Sequence, residues 1–457
     1  MLFNSFLYIF IFLPVVILVY FLLSHIVSRR YSQVWLVMCS LFYYAFWKSE
    51  YLGLLLLSIF VNFMLGYFIV QKKFAKKLLW FGITFNLFLL GFFKYSNFFI
   101  ENLNFLFKRD WNFVHIVLPL AISFFTFQQI AYLVDCYKKK IKNISFYEYI
   151  LFITFFPQLI AGPIVHHSEM MPQFSDKKNQ KFNWDNFSKG IFLFFLGLMK
   201  KVVVADTFAK WATYGFDVST TLSTLEAWMT SLSYTFQLYF DFSGYTDMAL
   251  GAALMLNIVL PKNFNSPYKS LSIQDFWKRW HMTLSRFLRD YLYIPLGGNR
   301  RGEIKTYRNL LLVFFLGGLW HGAAWGFIIW GLLHGVASVI HRIWEKRTYH
   351  IPKFFAWFFT FIFVNVTWIF FRAENFADAK KILLAMFSLQ TEAHHFLASQ
   401  SYYWVFLFLF VVLFFKNSDE IMKKFKPNIF HFSFLLFSFI TSLYFLSNYS
   451  EFLYFQF

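Results

Sequence analysis

The chain has 457 residues, of which 59% are hydrophobic, 25% are Phe, Tyr or Trp, and only 14% are charged. A water-soluble domain carries about 25% charged residues to face solvent, so this composition excludes a soluble fold and calls for a bilayer, where lipid-facing side chains are as apolar as a core. The formal charge of +19, from 42 Lys and Arg against 23 Asp and Glu, falls in short clusters between apolar runs, as in cytoplasmic membrane loops, and no zinc finger, aromatic RNA-binding motif or basic tail points to nucleic acid.

The first residues, Met1-Leu2-Phe3-Asn4-Ser5-Phe6, lack the positive start of a cleavable signal peptide, and no small-residue cleavage site follows. The first apolar run is therefore predicted to stay as a membrane helix. Apolar segments recur at 6–24, 33–47, 52–70, 78–93, 115–135, 146–161, 187–204, 227–258, 308–341, 354–370, 400–415 and 430–448. About 20 helical residues cross about 30 Å of hydrocarbon, and the segments of about 15 residues are predicted to be short, tilted or partly inserted. Cys39 and Cys136 lie alone inside apolar segments and read as buried small hydrophobes, not as a disulfide or metal framework.

Charge gives an orientation. Arg29 and Arg30, the Lys72/Lys73/Lys76/Lys77 cluster and the Lys138/Lys139/Lys140/Lys142 cluster are separated by pairs of apolar segments, so all are predicted to be cytoplasmic. Lys416, Lys423, Lys424 and Lys426 mark another cytoplasmic loop, which places both termini outside.

Residues 155–166, Phe-Phe-Pro-Gln-Leu-Ile-Ala-Gly-Pro-Ile-Val-His, interrupt a helix with two prolines and a glycine. Such backbone survives at membrane depth only inside protein or beside a cavity, so a hinge and the lining of a passage are both open readings. Asp241 and Asp247 lie in an apolar stretch where an unpaired charge is costly. A helix-locking polar network and direct contact with a transferred group are the alternatives there.

From Pro261 to Arg308 the chain turns basic and aromatic. Phe276, Trp280, Leu284, Phe287 and Tyr291 recur at three or four, so Ser272–Leu292 is predicted as one amphipathic interfacial helix, ended by Pro295 and Gly297-Gly298. On it His281, Ser285 and Arg289 share a face. Lys278, Arg279 and Arg289 are candidates for holding phosphates, or for reaching anionic headgroups. The 308–341 stretch is long enough for two helices, with Gly331 and Gly335 as the predicted break. Gly318, Gly322 and Gly326 form a small-residue ridge beside His321, the group best suited to exchange a proton with a hydroxyl. A helix-bridging hydrogen bond is the structural alternative, and His334 is a weaker candidate. No zinc-type spacing occurs, so no metal is expected.

These landmarks resemble those of the membrane-bound O-acyltransferases, in the bacterial branch of alginate and peptidoglycan O-acetylation and teichoic acid D-alanyl transfer. The resemblance runs through Met1-Leu2-Phe3-Asn4-Ser5, Phe155-Phe156-Pro157-Gln158 with Ala161-Gly162-Pro163, and Asp241-Phe242-Ser243-Gly244-Tyr245-Thr246-Asp247. It continues through Asn263-Phe264-Asn265-Ser266-Pro267-Tyr268, Phe276-Trp277-Arg279-Trp280-His281-Met282-Thr283-Leu284-Ser285, Tyr291-Tyr293-Ile294-Pro295-Leu296-Gly297-Gly298, Gly317 to Ala323, and the final Phe452 to Phe457.

The resemblance implies an all-α polytopic protein forming one integral membrane domain over 1–457, a ring of tilted helices around a central funnel. It implies that His321 is the catalytic histidine and His281 the second functional histidine. Acetyl-CoA is the expected donor, its phosphates met at the cytoplasmic approach by His281 with Lys278, Arg279 and Arg289, and no tightly bound cofactor is expected. An extracytoplasmic SGNH-type partner is expected to receive the acetyl, so that the polysaccharide, with peptidoglycan favoured over alginate, is acetylated indirectly. D-alanyl transfer to teichoic acid, a transporter and an export-complex scaffold are the other function classes.

Overall fold

The computed structural model describes residues 1–72, 74–111, 116–141, 144–347, 351–388, 400–446 and 452–453. Lys73, Lys142, residues 389–399 and residues 454–457 lie outside them. Among the described residues every regular element is helical. The chain separates into two compact units, residues 1–195 with 245–261, and residues 196–244 with 262–457.

In the first unit a π-helical turn, Tyr8–Phe12, leads into α1 (Leu13–Ile26), followed by α2 (Arg29–Ala45), α3 (Leu52–Val70), α4 (Ala75–Phe107) and α5 (Ile122–Tyr137). Then come α6 (Phe146–Thr154), the single turn α7 (Phe156–Leu159) and α8 (His167–Ser175). The boundaries between units fall inside α9 (Trp184–Met199) and α11 (Thr224–Met255), with α10 (Asp206–Thr213) between them. The second unit continues with α12 (Ile273–Arg279), α13 (Met282–Leu288), α14 (Glu303–His321), α15 (Trp325–Trp344) and α16 (Lys353–Arg372). It ends with α17 (Phe376–Phe387), α18 (Gln400–Phe414), α19 (Ser418–Met422) and α20 (Ile429–Phe445).

Among the described residues five helices are long and apolar enough to cross a bilayer: Tyr8–Ile26, Ser49–Val70, Ala75–Phe107, Trp325–Trp344 and Lys353–Arg372. Their outward faces carry exposed Leu18, Phe88 and Phe359, which water would penalise and lipid does not. The protein is an all-α polytopic membrane protein.

The abundant phenylalanines and tyrosines fill cores as well. In the first unit Tyr8 packs on Phe3 at 4.8 Å, Tyr43 at 5.9 Å and Phe156 at 6.3 Å between ring centroids. The Pro-Gly break begins after Thr154, and its freed backbone groups find partners inside the same unit. The Phe156 N–H donates to Ser40 Oγ (3.1 Å) and Gln158 Nε2 donates to the Phe152 carbonyl (2.7 Å). Residues 149–167 are buried throughout, which is the geometry of a packed hinge.

In the second unit α14 and α15 form a hairpin whose backbones nearly touch. A Cβ on Gly318 would lie 2.3 Å from the Phe327 carbonyl oxygen, and one on Gly331 would lie 2.4 Å from that of Phe314. Any side chain there would push the helices apart. This corrects the predicted break: Gly331 and Gly335 lie inside α15 against α14, and the chain turns instead at Gly322–Ala324, directly after His321.

Candidate active site

The predicted helix Ser272–Leu292 is two helices. Trp280 is extended and His281 is left-handed, with φ 42° and ψ 54°. A left-handed histidine is uncommon and costs free energy, so the surroundings must enforce it. Residues 263–265 do so by running alongside the break. The Met282 N–H donates to the Asn263 carbonyl and the Asn265 N–H donates to the Arg279 carbonyl, both at 2.9 Å. The shared helical face expected for His281, Ser285 and Arg289 is therefore absent, because the helix starts anew at Met282.

His281 is fully buried, and its Nδ1 lies 3.1 Å from Asn263 Oδ1. That oxygen also accepts from the Thr283 N–H (3.1 Å) and the Thr283 hydroxyl (2.9 Å). Acting as an acceptor, it places the ring proton on Nδ1 and the lone pair on Nε2. Burial pushes the His281 pKa down to about 3, so the imidazole is neutral at ordinary pH. Its ring sits against Phe242 at 4.8 Å and Trp320 at 6.2 Å.

His321 ends α14 and is buried among Trp320 at 4.9 Å, Trp330 at 5.1 Å and Phe371 at 5.2 Å. The two histidines thus contact one indole, that of Trp320, and each stands at a backbone break. The Trp330 indole is also buried, and its Nε1–H meets no hydrogen-bond acceptor among the described residues. His334 is committed elsewhere. Trp277 Nε1 donates to its Nδ1 (3.2 Å), and its Nε2–H donates to Thr367 Oγ1 (3.0 Å), which donates onward to the Val364 carbonyl. His334 is a bridging histidine of the kind that His321 offered as an alternative.

Asp241 belongs to a buried network. Its Oδ1 lies 2.6 Å from Lys201 Nζ, which also reaches Asp206 Oδ1 at 2.9 Å, while its Oδ2 accepts the Leu453 N–H at 3.0 Å. Both carboxylate oxygens brace the protein, as in the helix-locking reading. Lys201 escaped the sequence reading because Lys200-Lys201 looks like the charged end of an apolar segment. Asp247 is buried in the other unit.

A cavity of about 660 Å³ opens beside this region, lined by Arg289, Arg300, Arg301 and Arg342 together with Trp277 and the Gly297-Gly298 turn. Of the residues predicted to meet the donor's phosphates, His281 does not line it, and among Lys278, Arg279 and Arg289 only Arg289 does, pairing also with Asp290 at 2.7 Å. Lys278 is exposed outside it, and Arg279 pairs with Asp275 at 2.8 Å. The wall continues inward through Trp277 to Trp330 (5.7 Å), the ring that touches His321. A cluster of arginines in an open cavity suits a polyanion. Among the described residues no group of His, Cys, Asp and Glu side chains could hold a metal ion.

The sequence model of the MBOAT, membrane-bound O-acyltransferase family matches residues 136–377, which contain both histidines and the arginine cavity. The chain is 54% identical over 422 residues to the peptidoglycan O-acetyltransferase of Helicobacter pylori, covering 85% of this chain and 80% of that protein. It is 40% identical over 402 residues to the probable alginate O-acetylase of Pseudomonas putida, with the same coverage of 85% and 80%. Similarity to the teichoic acid D-alanyltransferase of Bacillus subtilis is 30% over 235 residues, half of this chain and 60% of that protein.

Proposed function

This chain belongs to the membrane-bound O-acyltransferase family and is a polytopic inner-membrane acyltransferase related to peptidoglycan and alginate O-acetyltransferases, and from that premise we propose that it carries acetyl from cytoplasmic acetyl-CoA to a hydroxyl presented on the outer face. The observation behind this reading is the pair of buried histidines on the Trp320 indole, one ring away from an arginine-lined cavity.

In this mechanism Arg289, Arg300, Arg301 and Arg342 hold the donor's phosphates. Lys278 and Arg279 act only at the approach. His321 takes the proton of the incoming hydroxyl as its oxygen attacks the thioester carbonyl. The tetrahedral intermediate carries an oxyanion, and the unclaimed Trp330 Nε1–H is a donor suited to it. When the C–S bond breaks, the departing thiolate takes the proton back from His321. His281, held neutral by burial and by Asn263, supports the Trp320 indole beside which the hydroxyl is placed.

The hydroxyl belongs to an extracytoplasmic SGNH-type partner that passes the acetyl to glycan. Peptidoglycan is the proposed polymer, supported by 54% identity to a peptidoglycan O-acetyltransferase against 40% to a probable alginate O-acetylase. Deleting the gene and measuring base-labile acetyl on isolated muropeptides tests the acceptor; unchanged muropeptides reject it. Reconstitution in liposomes with acetyl-CoA tests the relay, and glycan acetylated by this protein alone overturns it. Full transfer by a folded His321→Ala variant removes the assigned base.

A further inference from the structure

The consecutive spans α15 and α16 border a groove of about 770 Å³ that is separate in character from the arginine cavity. Its wall is apolar, formed by Leu333, Val336 and Ile340 of α15 with Phe359 and Phe363 of α16. Its mouth is basic. Arg347 and Lys353 line it there, both exposed.

The ion pairs at this turn sort its charges. Lys346 pairs with Glu303, and His341 lies 3.3 Å from Glu345. Arg347 and Lys353 make no ion pair among the described residues. Arg347 and Lys353 therefore stand over the end of an apolar slot between membrane helices, with Glu345 the one carboxylate among the lining residues.

The depth of the slot selects its occupant. Leu333 and Trp344 both line it, and their separation along α15 corresponds to about 16 Å of helix rise. That is about half of a 30 Å hydrocarbon core, the reach of an acyl chain in one leaflet. Basic residues gather at this end, which marks it as cytoplasmic. A zwitterionic headgroup would bring its own cation toward Arg347 and Lys353, whereas a net-negative headgroup meets them without repulsion.

We propose that this groove is a binding site for an anionic phospholipid of the cytoplasmic leaflet. One acyl chain lies along Val336, Ile340 and Phe359, and the phosphodiester sits between Arg347 and Lys353. His341 and Glu345 line both this groove and the arginine cavity. A seated lipid thereby fixes the end of α15 that walls the donor cavity, a consequence that rests on the proposed function.

Native mass spectrometry of the purified full chain, titrated with phosphatidylglycerol or with phosphatidylcholine of matched acyl chains, tests the site. Wild type is expected to retain phosphatidylglycerol at least about tenfold better, and the Arg347→Gln/Lys353→Gln double variant to lose that preference. Equal retention of the two lipids by wild type overturns the proposal, as does an undiminished preference in the double variant. An unchanged thermal unfolding midpoint in detergent shows that the variant is folded. A raised donor KM in the variant would follow only if the donor-site reading also holds, whereas lipid preference is judged without any transfer assay.

Discussion

Each unit of this protein buries a knot of polar side chains, and the two knots are built differently. In the first unit Ser58, Asn62, Asn86 and Gln129 join α3, α4 and α5. Asn62 Nδ2 and Ser58 Oγ both donate to Gln129 Oε1, at 2.5 and 2.8 Å, and Asn86 Nδ2 donates to Asn62 Oδ1 at 2.6 Å. Their backbones are regular helix, and their groups satisfy one another except for the Gln129 Nε2 amide. In the second unit His281 and His321 stand where helices break, walled by aromatic rings with an arginine cavity nearby. Mutually satisfied polarity on unbroken helices holds helices together. Polarity held on strained or interrupted backbone, with a donor such as Trp330 Nε1 left over, is the arrangement from which the proposed chemistry is inferred.

Kinetics should therefore respond in the second unit and stability in the first. The largest expected effect is His321→Ala, which should lower kcat about 10²–10⁴-fold, the range for loss of a general base, with the unfolding midpoint little changed. Trp330→Phe keeps an aromatic six-membered ring but removes the five-membered ring that carries the N–H, so its transfer is compared per folded molecule. A fall in kcat of about 10²–10³-fold is expected for loss of an oxyanion donor, at unchanged donor KM. Full activity in that variant would leave the oxyanion to other groups. Neutralising Arg300 and Arg301 together as glutamines should raise the donor KM about tenfold or more while kcat holds. Steady-state assays over a range of acetyl-CoA concentrations separate these outcomes.

The reverse experiment sits in the first unit. Asn62→Leu removes the centre of the polar knot, and membrane-embedded hydrogen bonds of this kind contribute about 0.6–2 kcal/mol. The unfolding midpoint in detergent should drop, while transfer per folded molecule stays at the wild-type value. A large kcat loss in Asn62→Leu would break the comparison, because a structural knot would then be acting on the chemistry.

The difference between the two knots was only partly legible in the sequence. Composition was sufficient for the membrane class, and His321 was singled out as a proton-exchanging group in an apolar segment with a helix-bridging hydrogen bond as its alternative, whereas the expected glycine ridge is divided between α14, the turn and α15. The turn after His321 was misplaced because glycine signals both a break and a close approach. Gly331 and Gly335 serve the approach, and only the contact of Gly318 with the Phe327 carbonyl reveals which role each plays. The break at His281 left no local mark: the three-and-four spacing continues from Phe276 to Tyr291, with no Gly or Pro at 280–282. Its cause is Asn263, a partner distant in sequence. Arg342 was missed for the same reason, since a cavity is assembled only by tertiary contact.

The smallest expected effect separates two histidines that look alike. His167 in the first unit and His281 in the second are both buried outside the membrane-spanning helices, and burial pushes their pKa values from 6.5 down to about 4 and about 3. Each is neutral when folded, yet takes a proton in the unfolded chain once the pH falls below 6.5. The unfolded state then binds more protons, so stability declines as the pH drops from 6.5 toward 3 and is level above 6.5. Replacing either histidine with glutamine should make the unfolding midpoint less acid-sensitive in that window, down to about pH 4 for His167 and about pH 3 for His281. At pH 7.5 neither change acts through protonation, and the cost is limited to lost contacts. Acetyl transfer at pH 7.5 should divide the pair, because only His281→Gln removes the neutral ring beside Trp320. Equal losses of transfer in both variants would mean that buried imidazoles act here through the fold alone, and the contrast between the two units would then fail at its most closely matched pair of residues.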